Sequence, residues 1–352
     1  MNRSIYTILC CFLYCFTPYK VQANNTQFSG EINSSISNSN TPYATLSEKS
    51  NSSLENWIYI EIKGKDEISS KLNVLYKMSS LVYNASLDGN DNPTGAYNTY
   101  LGLESAYGTL LIGRNDTVFK FSEGDIDLFN STNADIGNLA AGQTISADAI
   151  WYYSPKIADL ISLNSTYLMT RNQADTPSES TGSQYALTAV VGDKNLLNQQ
   201  FYFASAYNKG IDMINAYRQV AQIKLGNVIL GGLYQHTKSI KLNEKNMKGN
   251  TYFINLKYNL NRINFKVEYG KDTSGLGWYF TNATGGSGST IDRSHYSDIS
   301  IEQITIGADY MLSASTRLYT HAIMFQGDYS NSGINTSLEN DKVLTIGIDY
   351  NF

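Results

Sequence analysis

Side chains that could carry out catalysis are scarce in this sequence. The only three histidines, His236, His295 and His321, lie in three separate segments, so they provide neither a metal-ligand spacing nor a catalytic triad. The phosphate-binding pattern G-x-x-x-x-G-K and the nucleophile pattern G-x-S-x-G are both absent. We therefore expect no catalytic residues, no metal site and no cofactor.

Carboxylates, in contrast, are concentrated in one long connection. Residues 115–147 contain Asp116, Glu123, Asp125 and Asp127, and Asp135 follows them. Acidic side chains are normal on exposed loops, so composition alone explains these residues without a special role. Whether they act together depends on the elements that hold the two ends of this loop.

Those elements are predicted to be strands, because apolar residues alternate with polar ones. In residues 342–352, one face carries Leu344, Ile346, Ile348, Tyr350 and Phe352. The pattern recurs near residues 58–63, 72–78, 252–258, 263–269 and 303–310. A soluble sandwich alternates in this way, and so does a barrel wall between lipid and a water-filled lumen. The polar face of these and neighbouring segments carries the basic residues Lys63, Lys77, Arg218, Lys257 and Lys266.

The first residues indicate export. Arg3, an apolar run over 5–16 and a small-residue site ending at Ala23 predict a cleaved signal peptide over residues 1–23, with one barrel domain over 24–352. All three cysteines lie inside the predicted signal. No later stretch reaches 18 apolar residues, so the mature chain is either soluble in the periplasm or crosses a membrane as a closed barrel. Its net negative charge argues against a nucleic-acid partner.

The connections decide between these two alternatives. Short links such as 226–227 and 259–262 alternate along the chain with long ones such as 115–147 and 271–298. Short periplasmic turns and long extracellular loops are typical of an all-β transmembrane antiparallel β-barrel. We expect about 16 strands, and a barrel of that size is wide enough for an aqueous channel. Their expected starts are near residues 28, 58, 71, 98, 108, 149, 157, 185, 199, 214, 228, 250, 263, 299, 316 and 342.

Several segments resemble the trimeric general-diffusion porins of Gram-negative bacteria. Residues 100–103 and 107–116 (YLGL, then YGTLLIGRND) are similar to a hairpin of that family, and 150–156 (IWYYSPK) is similar to one of its strand ends. The resemblance implies a homotrimer of 16-stranded barrels in the outer membrane, in contact with lipid and lipopolysaccharide. It also implies that the third long loop folds into the lumen. Asp116, Glu123, Asp125 and Asp127 would then face basic residues on the wall.

The basic residues expected on the wall are Lys63, Lys77, Arg114 and Arg218. Arg114 matches the family by motif, but its parity groups it with lipid-facing residues, so we expect a bulge at Gly113 that re-aims it. The family often has arginine and glycine where this chain has Tyr59 and Glu61. The basic cluster should therefore be thinner than usual, which predicts a weak preference for cations.

The chain ends on Tyr350 and Phe352, which resemble the signal that the barrel-assembly machinery recognises. The function expected from the resemblance is passive diffusion of small hydrophilic solutes and ions. Two alternatives stay open. One is a substrate-specific channel, and the other is a surface receptor or adhesin barrel with a narrow or plugged lumen.

Overall fold

Most of the described chain is β-strand, as the alternation predicts. The computed structural model describes residues 26–83, 94–169, 182–285 and 291–352. The predicted signal peptide lies outside these residues. The strands are β1 (Gln27–Ser39), β2 (Asn51–Ser69), β3 (Leu72–Tyr83), β4 (Thr94–Ser105), β5 (Gly108–Asp116), β6 (Ile145–Tyr153), β7 (Ile161–Leu168), β8 (Tyr185–Gly192), β9 (Phe201–Lys209), β10 (Ile214–Leu225), β11 (Val228–Ser239), β12 (Lys248–Leu260), β13 (Ile263–Asp272), β14 (Tyr296–Met311), β15 (Thr316–Asn331), β16 (Ile334–Ser337) and β17 (Asp341–Asn351).

The strands form a closed antiparallel barrel. Each strand from β1 to β15 pairs with the next, β15 pairs with β17, and β17 pairs with β1. The short β16 pairs only with β15 and extends it as a hairpin, so the wall in the described residues has the 16 strands that the sequence predicts. Closure leaves no unpaired edge in the wall, which is the condition for crossing lipid with strands.

The wall is apolar on its outer face and polar on its inner face, which is the reverse of a soluble protein. On β17, Ile346 is 62% exposed whereas its neighbour Thr345 is 1% exposed. Apolar side chains point outwards, and polar ones point into the interior, where they meet each other and the inserted loops. This distribution is favourable only if the outer face meets lipid. No helix within the described ranges is long and apolar enough to span a bilayer.

Connection lengths largely follow the predicted alternation. Residues 70–71, 106–107, 226–227 and 261–262 connect strands at one end, the short-turn end. The other, long-loop end carries longer connections such as 117–144 and 273–295. The connection 210–213 is an exception, because a left-handed Gly210 (φ 75°) and a 3-10 turn close it in four residues at the long-loop end.

Strand starts differ most from prediction at β2. It begins at Asn51, seven residues before the expected start, because its pairing with β1 continues as far as Ser39. The first connection is therefore 40–50. The strand β7 begins at Ile161, four residues later than expected, because Ile157 forms only an isolated bridge with Ile161.

Two inserted segments fill part of the interior. Residues 117–144, the lumen loop, contain a helical turn (Val118–Phe121) and a 3-10 turn (Ile136–Asn138). The connection 273–295 contributes a second short helix, Trp278–Ala283. Apolar side chains of both segments pack against the inner wall in one cluster, which includes Ile126, Phe129, Leu139, Tyr279, Phe253 and Phe325. A second cluster, which includes Phe119, Ala141 and Trp151, packs the two ends of the lumen loop against the wall. The packed core therefore lies inside the barrel.

Candidate constriction of the lumen

The lumen loop leaves the wall at an irregularity in β5. Gly113 has a φ of +133°, and the pairing with β6 shifts between Gly113 and Asn115. The predicted irregularity is therefore at the expected place, but the additional residue lies on β6. Asp116 then accepts a hydrogen bond from the side chain of Asn98 (3.0 Å) and forms an ion pair with Lys120 (2.8 Å). Asp116 anchors the start of the loop, and together with Lys77 of the wall it lines a cavity of about 610 Å³.

Arg218 on β10 holds both ends of the loop. The side chain is fully buried, and its Nη1 and Nη2 atoms donate to the carbonyl oxygens of Phe119 (3.3 Å) and Ala141 (3.2 Å). Its Nε donates to Gln235 (2.7 Å), and Nη1 lies 3.5 Å from a carboxylate oxygen of Glu123. The planar guanidinium can satisfy all of these groups at once because its donors form a rigid fork.

The far end of the loop reaches the opposite wall. The amide of Asn133, which is 1% exposed, donates to Ser37 (2.8 Å), Glu55 (2.9 Å) and Thr345 (3.2 Å). Its carbonyl oxygen accepts from the backbone N–H of Leu46 (2.9 Å). The loop is therefore fixed to β10 on one side and to β1, β2 and β17 on the other, so it crosses the lumen.

Between these anchors, loop carboxylates face cations of the wall across one cavity. This constriction cavity has a volume of about 250 Å³. The loop lines it with Glu123, Asp125 and Asp127. The wall lines it with Lys257, Lys266, Arg317 and Asp309. Glu123 also lines a cavity of about 400 Å³ among the long loops, and Asp127 also lines one of about 440 Å³ toward the short turns.

The wall cations on this side are partly neutralised by wall carboxylates. Lys266 lies 2.8 Å from Asp309, and Arg317 lies 2.8 Å from Asp349 and 3.9 Å from Asp309. Lys266 also donates to the carbonyl oxygen of Leu128 in the loop (2.8 Å). Lys257 forms no ion pair with any carboxylate of the described residues.

Lys63 and Lys77 form no ion pair with the loop carboxylates, although Lys77 shares a cavity with Asp116. Both lie beside Glu61, at 2.5 and 2.7 Å, and the Tyr59 hydroxyl donates to the same carboxylate. At the two positions where the sequence departs from the family pattern, the Glu61 carboxylate offsets one of the two lysine charges, and the uncharged Tyr59 hydroxyl only donates to that carboxylate. Arg114 is half-buried, and it forms no ion pair with a carboxylate in the part of the chain that the structure describes. It does not line the constriction cavity.

Sequence reasoning missed Arg317 and left Lys257 and Lys266 without a role. Arg317 lies on the lumen face of β15 with His321, so parity could have identified it. Which lumen-facing residues share a height with the loop follows from the stagger of the strands, which parity does not contain.

Burial changes the protonation of the loop carboxylates. It raises the pKa of Glu123 to about 7, although Arg218 and Lys120 oppose the shift. Burial also raises the pKa of Asp127 well above its usual value, and the nearby carboxylates Asp135, Glu268 and Glu123 add to this effect. Among the described residues, no group of His, Cys, Asp and Glu side chains is arranged to hold a metal ion. The arrangement can order water and ions in a transverse field, with more carboxylates than cations.

Comparisons with known proteins agree with this geometry. A sequence model of the family described as Gram-negative porin matches residues 16–351. The major outer membrane protein P.IB of Neisseria sicca is 27% identical over 103 residues, a match that spans 28% of each chain.

Solved structures share the fold at low sequence identity. OmpF of Salmonella typhi, in a complex with daunomycin, has a TM-score of 0.67 at 15% identity, with 94% of this chain and 99% of that chain covered. The trimer form of OmpT of Vibrio cholerae has a TM-score of 0.63 at 11% identity, with 93% and 99% covered. A mutant of the porin of Rh. blastica has a TM-score of 0.60 at 12% identity, with 93% and 100% covered.

Proposed function

The chain belongs to the Gram-negative porin family, and we propose that this outer-membrane porin forms a water-filled channel for passive diffusion of small hydrophilic solutes and ions. The observation that carries this proposal is the lumen loop, which crosses the barrel and leaves a cavity with carboxylates on one side and cations on the other. Solutes would move down their own gradients. Selection would come from the width of the constriction and from its transverse field.

The charge balance favours cations weakly. Asp125 and Asp127 line the constriction cavity without an ion pair to any described cation. Of its three cations, Lys266 and Arg317 are paired with carboxylates of the wall, which leaves Lys257 as the cation without an ion pair among the described residues. A passing cation therefore meets more uncompensated negative charge than a passing anion meets positive charge. The raised pKa values of the buried carboxylates keep this preference small at neutral pH.

The test is the reversal potential of refolded protein in a planar bilayer with about a tenfold difference in KCl concentration between the two sides. We expect a potential on the cation side at pH 7. The double variant Asp125→Asn/Asp127→Asn should move it toward zero or to the anion side. A matched control, Asp66→Asn on β2, is distant in sequence from the loop and should leave it unchanged. A wild-type reversal potential on the anion side would contradict the proposed preference.

A receptor or adhesin barrel with a narrow lumen is the second candidate. It is favoured by the apolar cluster inside the barrel, where Phe280 and Phe325 fill space that water would occupy in an open channel. Conductance separates the two functions. A conductance of a few tenths of a nanosiemens or more supports the channel, whereas a nearly insulating barrel supports the receptor.

We also propose a homotrimer, with the β1–β5 face as the subunit interface. A row of outward tyrosines near the long-loop end runs over β8 to β12, with neighbouring ring centroids 5.3–6.1 Å apart. Tyrosines of this kind suit a lipid–water boundary. Toward the same end of β1, β2 and β5, the exposed large outer side chains are instead aliphatic, among them Ile36, Leu54 and Ile112, while the exposed Phe28 lies at the other end of β1. A face without the aromatic row is better suited to another subunit than to the lipid interface.

Cysteine crosslinking tests this face. The mature chain expected from signal cleavage has no cysteine, so Ile36→Cys and Ile254→Cys introduce single thiols at sites that are 62% and 64% exposed. We expect a short bismaleimide to link subunits through position 36 and not through position 254. Crosslinking at position 254 alone would reject the proposed interface. Mass spectrometry of the exported protein, expected to begin at Asn24, tests the signal peptide.

A further inference from the structure

The cavity above the constriction has an unusual lining for a water-filled lumen. This outer cavity, of about 400 Å³, is lined by Trp57 and Tyr59 of β2, Tyr97 of β4 and Trp278 of the connection 273–295. The interior of a membrane barrel is generally polar, so four large aromatic side chains around one lumen cavity need an explanation. They are not part of the apolar cluster that packs the lumen loop.

A bulge in the wall brings one of these rings into the cavity, and a close contact with the lumen loop positions another. The pairing of β3 with β4 shifts between Met78 and Ser80, with the additional residue on β4, and this bulge turns Tyr97 inwards beside Asn98. The Tyr97 ring then meets Tyr59 edge to face, with centroids 5.6 Å apart. Trp278 lies against the lumen loop at Gly137, where an added Cβ would be 2.6 Å from the indole ring.

The titratable groups of the outer cavity are mainly acidic. Glu31, Glu123 and Asp135 line it, together with one cation, Lys120. Lys120 is already paired with Asp116 at 2.8 Å, so its charge is compensated. Asp135 accepts from two backbone N–H groups and forms no ion pair with any described cation. A bound solute would therefore meet aromatic faces and carboxylates in the same space.

We propose that the outer cavity is a binding site for ring-bearing organic cations, which are held there before they enter the constriction. Aromatic faces attract cations and also bury the apolar body of such a solute. The carboxylates complement its charge, and the constriction cavity adjoins the outer cavity, since Glu123 and Asn130 line both. This inference rests on the proposed channel function and specifies a class of solute for it.

Two of the three tryptophans of the chain line this cavity, and the third, Trp151, is fully buried in the wall. Tryptophan emission of refolded protein therefore reports binding without any measurement of current. We expect benzyltrimethylammonium to change the emission at concentrations about tenfold below those that tetramethylammonium requires. Benzyl alcohol, which has the ring without the charge, should bind more weakly than the cation.

Channel block is the second readout. Benzyltrimethylammonium added on the long-loop side should reduce the current about tenfold more effectively than tetramethylammonium. The variant Trp57→Ala/Trp278→Ala should remove most of this difference, with block expressed relative to the open-channel current of the same variant. Glu31→Gln should weaken block by the cation and not by benzyl alcohol. The matched control is Tyr252→Ala, because this ring lies on the outer wall and is 44% exposed.

The outcomes separate this inference from the proposed function. Conduction with equal effects of the two ammonium ions overturns the binding site and leaves the channel intact. Stronger binding of maltose than of benzyltrimethylammonium, lost in the double tryptophan variant, overturns the cation class in favour of a carbohydrate. A barrel that does not conduct overturns the channel, and the emission titration still decides whether the cavity binds ring-bearing cations.

Discussion

Nη1 of Arg218 lies 3.5 Å from Oε2 of Glu123, so a fully buried cation of the barrel wall meets a carboxylate of the lumen loop inside the barrel. Arg218 and Glu123 are separated by almost a hundred residues in sequence. The same guanidinium donates to the carbonyl oxygens of Phe119 and Ala141, near the two ends of the loop. One side chain thus links the charge of the constriction to the position of the loop that forms it.

Replacing Arg218 should release the loop. We expect Arg218→Ala to lower the free energy of unfolding by about 3–5 kcal/mol, since it breaks a buried ion pair and leaves the carbonyl oxygens of Phe119 and Ala141 without this donor. The channel should also conduct more current with greater noise. Arg218→Lys should recover only part of the stability, because an ammonium cannot bridge both carbonyl oxygens. Urea unfolding in lipid and single-channel recording measure the two effects.

The control for this prediction is Lys224→Ala on the same strand. Lys224 is half-exposed and lies near the short-turn end of β10, away from the loop carbonyls. The Lys224→Ala variant should change neither the free energy of unfolding nor the noise of the current. An Arg218→Ala variant with wild-type noise would show that the loop is held without this contact.

Cation preference should increase with pH across neutrality. Burial raises the pKa of Glu123 to about 7, against the opposing charges of Arg218 and Lys120, and Asp135 adds to the shift. The ionised fraction of Glu123 should then rise from about a tenth at pH 6 to about nine tenths at pH 8. Reversal potentials in that range should move to the cation side. Glu123→Gln should remove a large part of this pH dependence. A variant whose reversal potential changes with pH as in the wild type would show that Glu123 is not the group that titrates.

The same shift has a consequence for stability. The native state binds the Glu123 proton more tightly than the unfolded chain, whose carboxyl has its usual value of 4.5. This carboxyl therefore stabilises the fold least above pH 7, and its contribution is lost as pH rises from about 4.5 to 7. In Glu123→Gln, this part of the pH dependence of the unfolding free energy should disappear.

Asn133 should control the position of the loop at the opposite wall. Its amide donates to Ser37, Glu55 and Thr345. Asn133→Ala should cost about 1–3 kcal/mol and increase conductance, because the buried Glu55 carboxylate loses a donor. Asn133→Asp should cost more, since it places a second carboxylate beside Glu55. Asn198→Ala, in an exposed turn at the short-turn end, is the matched control for both measurements.

Deletion of Phe352 should impair assembly more than conduction. Its backbone exchanges two hydrogen bonds of 3.0 Å with Gly30, and its ring lies 5.8 Å from that of Phe28. These contacts join the last residue to the first strand. We expect the amount of folded protein at the cell surface to fall several-fold, while the channels that form keep a normal conductance. Normal surface levels of the deletion variant would refute this prediction.

Gly30→Val tests the same seam without shortening the chain. A Cβ at position 30 would lie 2.4 Å from the Phe352 ring and 2.6 Å from the carbonyl oxygen of Tyr59. The carbonyl oxygen cannot move without disturbing the pairing of β1 with β2. We therefore expect a lower yield of heat-resistant barrel, measured by electrophoresis of unheated samples. Gly333→Val, at a position where an added Cβ meets nothing within 4 Å, controls for the loss of a glycine, although its φ of 82° adds strain.

The alternation of the sequence, together with the alternating lengths of the connections, predicted the barrel, about 16 wall strands and, away from bulges, the face on which a side chain lies. It could do so because the period of a strand is two, and because lipid and water impose opposite demands on the two faces. The start of the long loop near Asp116 was also predicted, because the loop follows directly after the alternating strand that begins near residue 108. Lys63, Lys77 and Arg218 were assigned to the lumen for the same reason.

Only the tertiary structure decided which charges meet. The heights of Lys257, Lys266 and Arg317 depend on strand tilt and stagger, and local alternation carries no information about either. Arg218 forms an ion pair with Glu123, whereas Lys63 and Lys77 form ion pairs with Glu61 of their own wall. Arg114 forms no ion pair with a carboxylate of the described residues. The path of the lumen loop depends on contacts such as that of Asn133 with Thr345, which are more than two hundred residues apart in sequence.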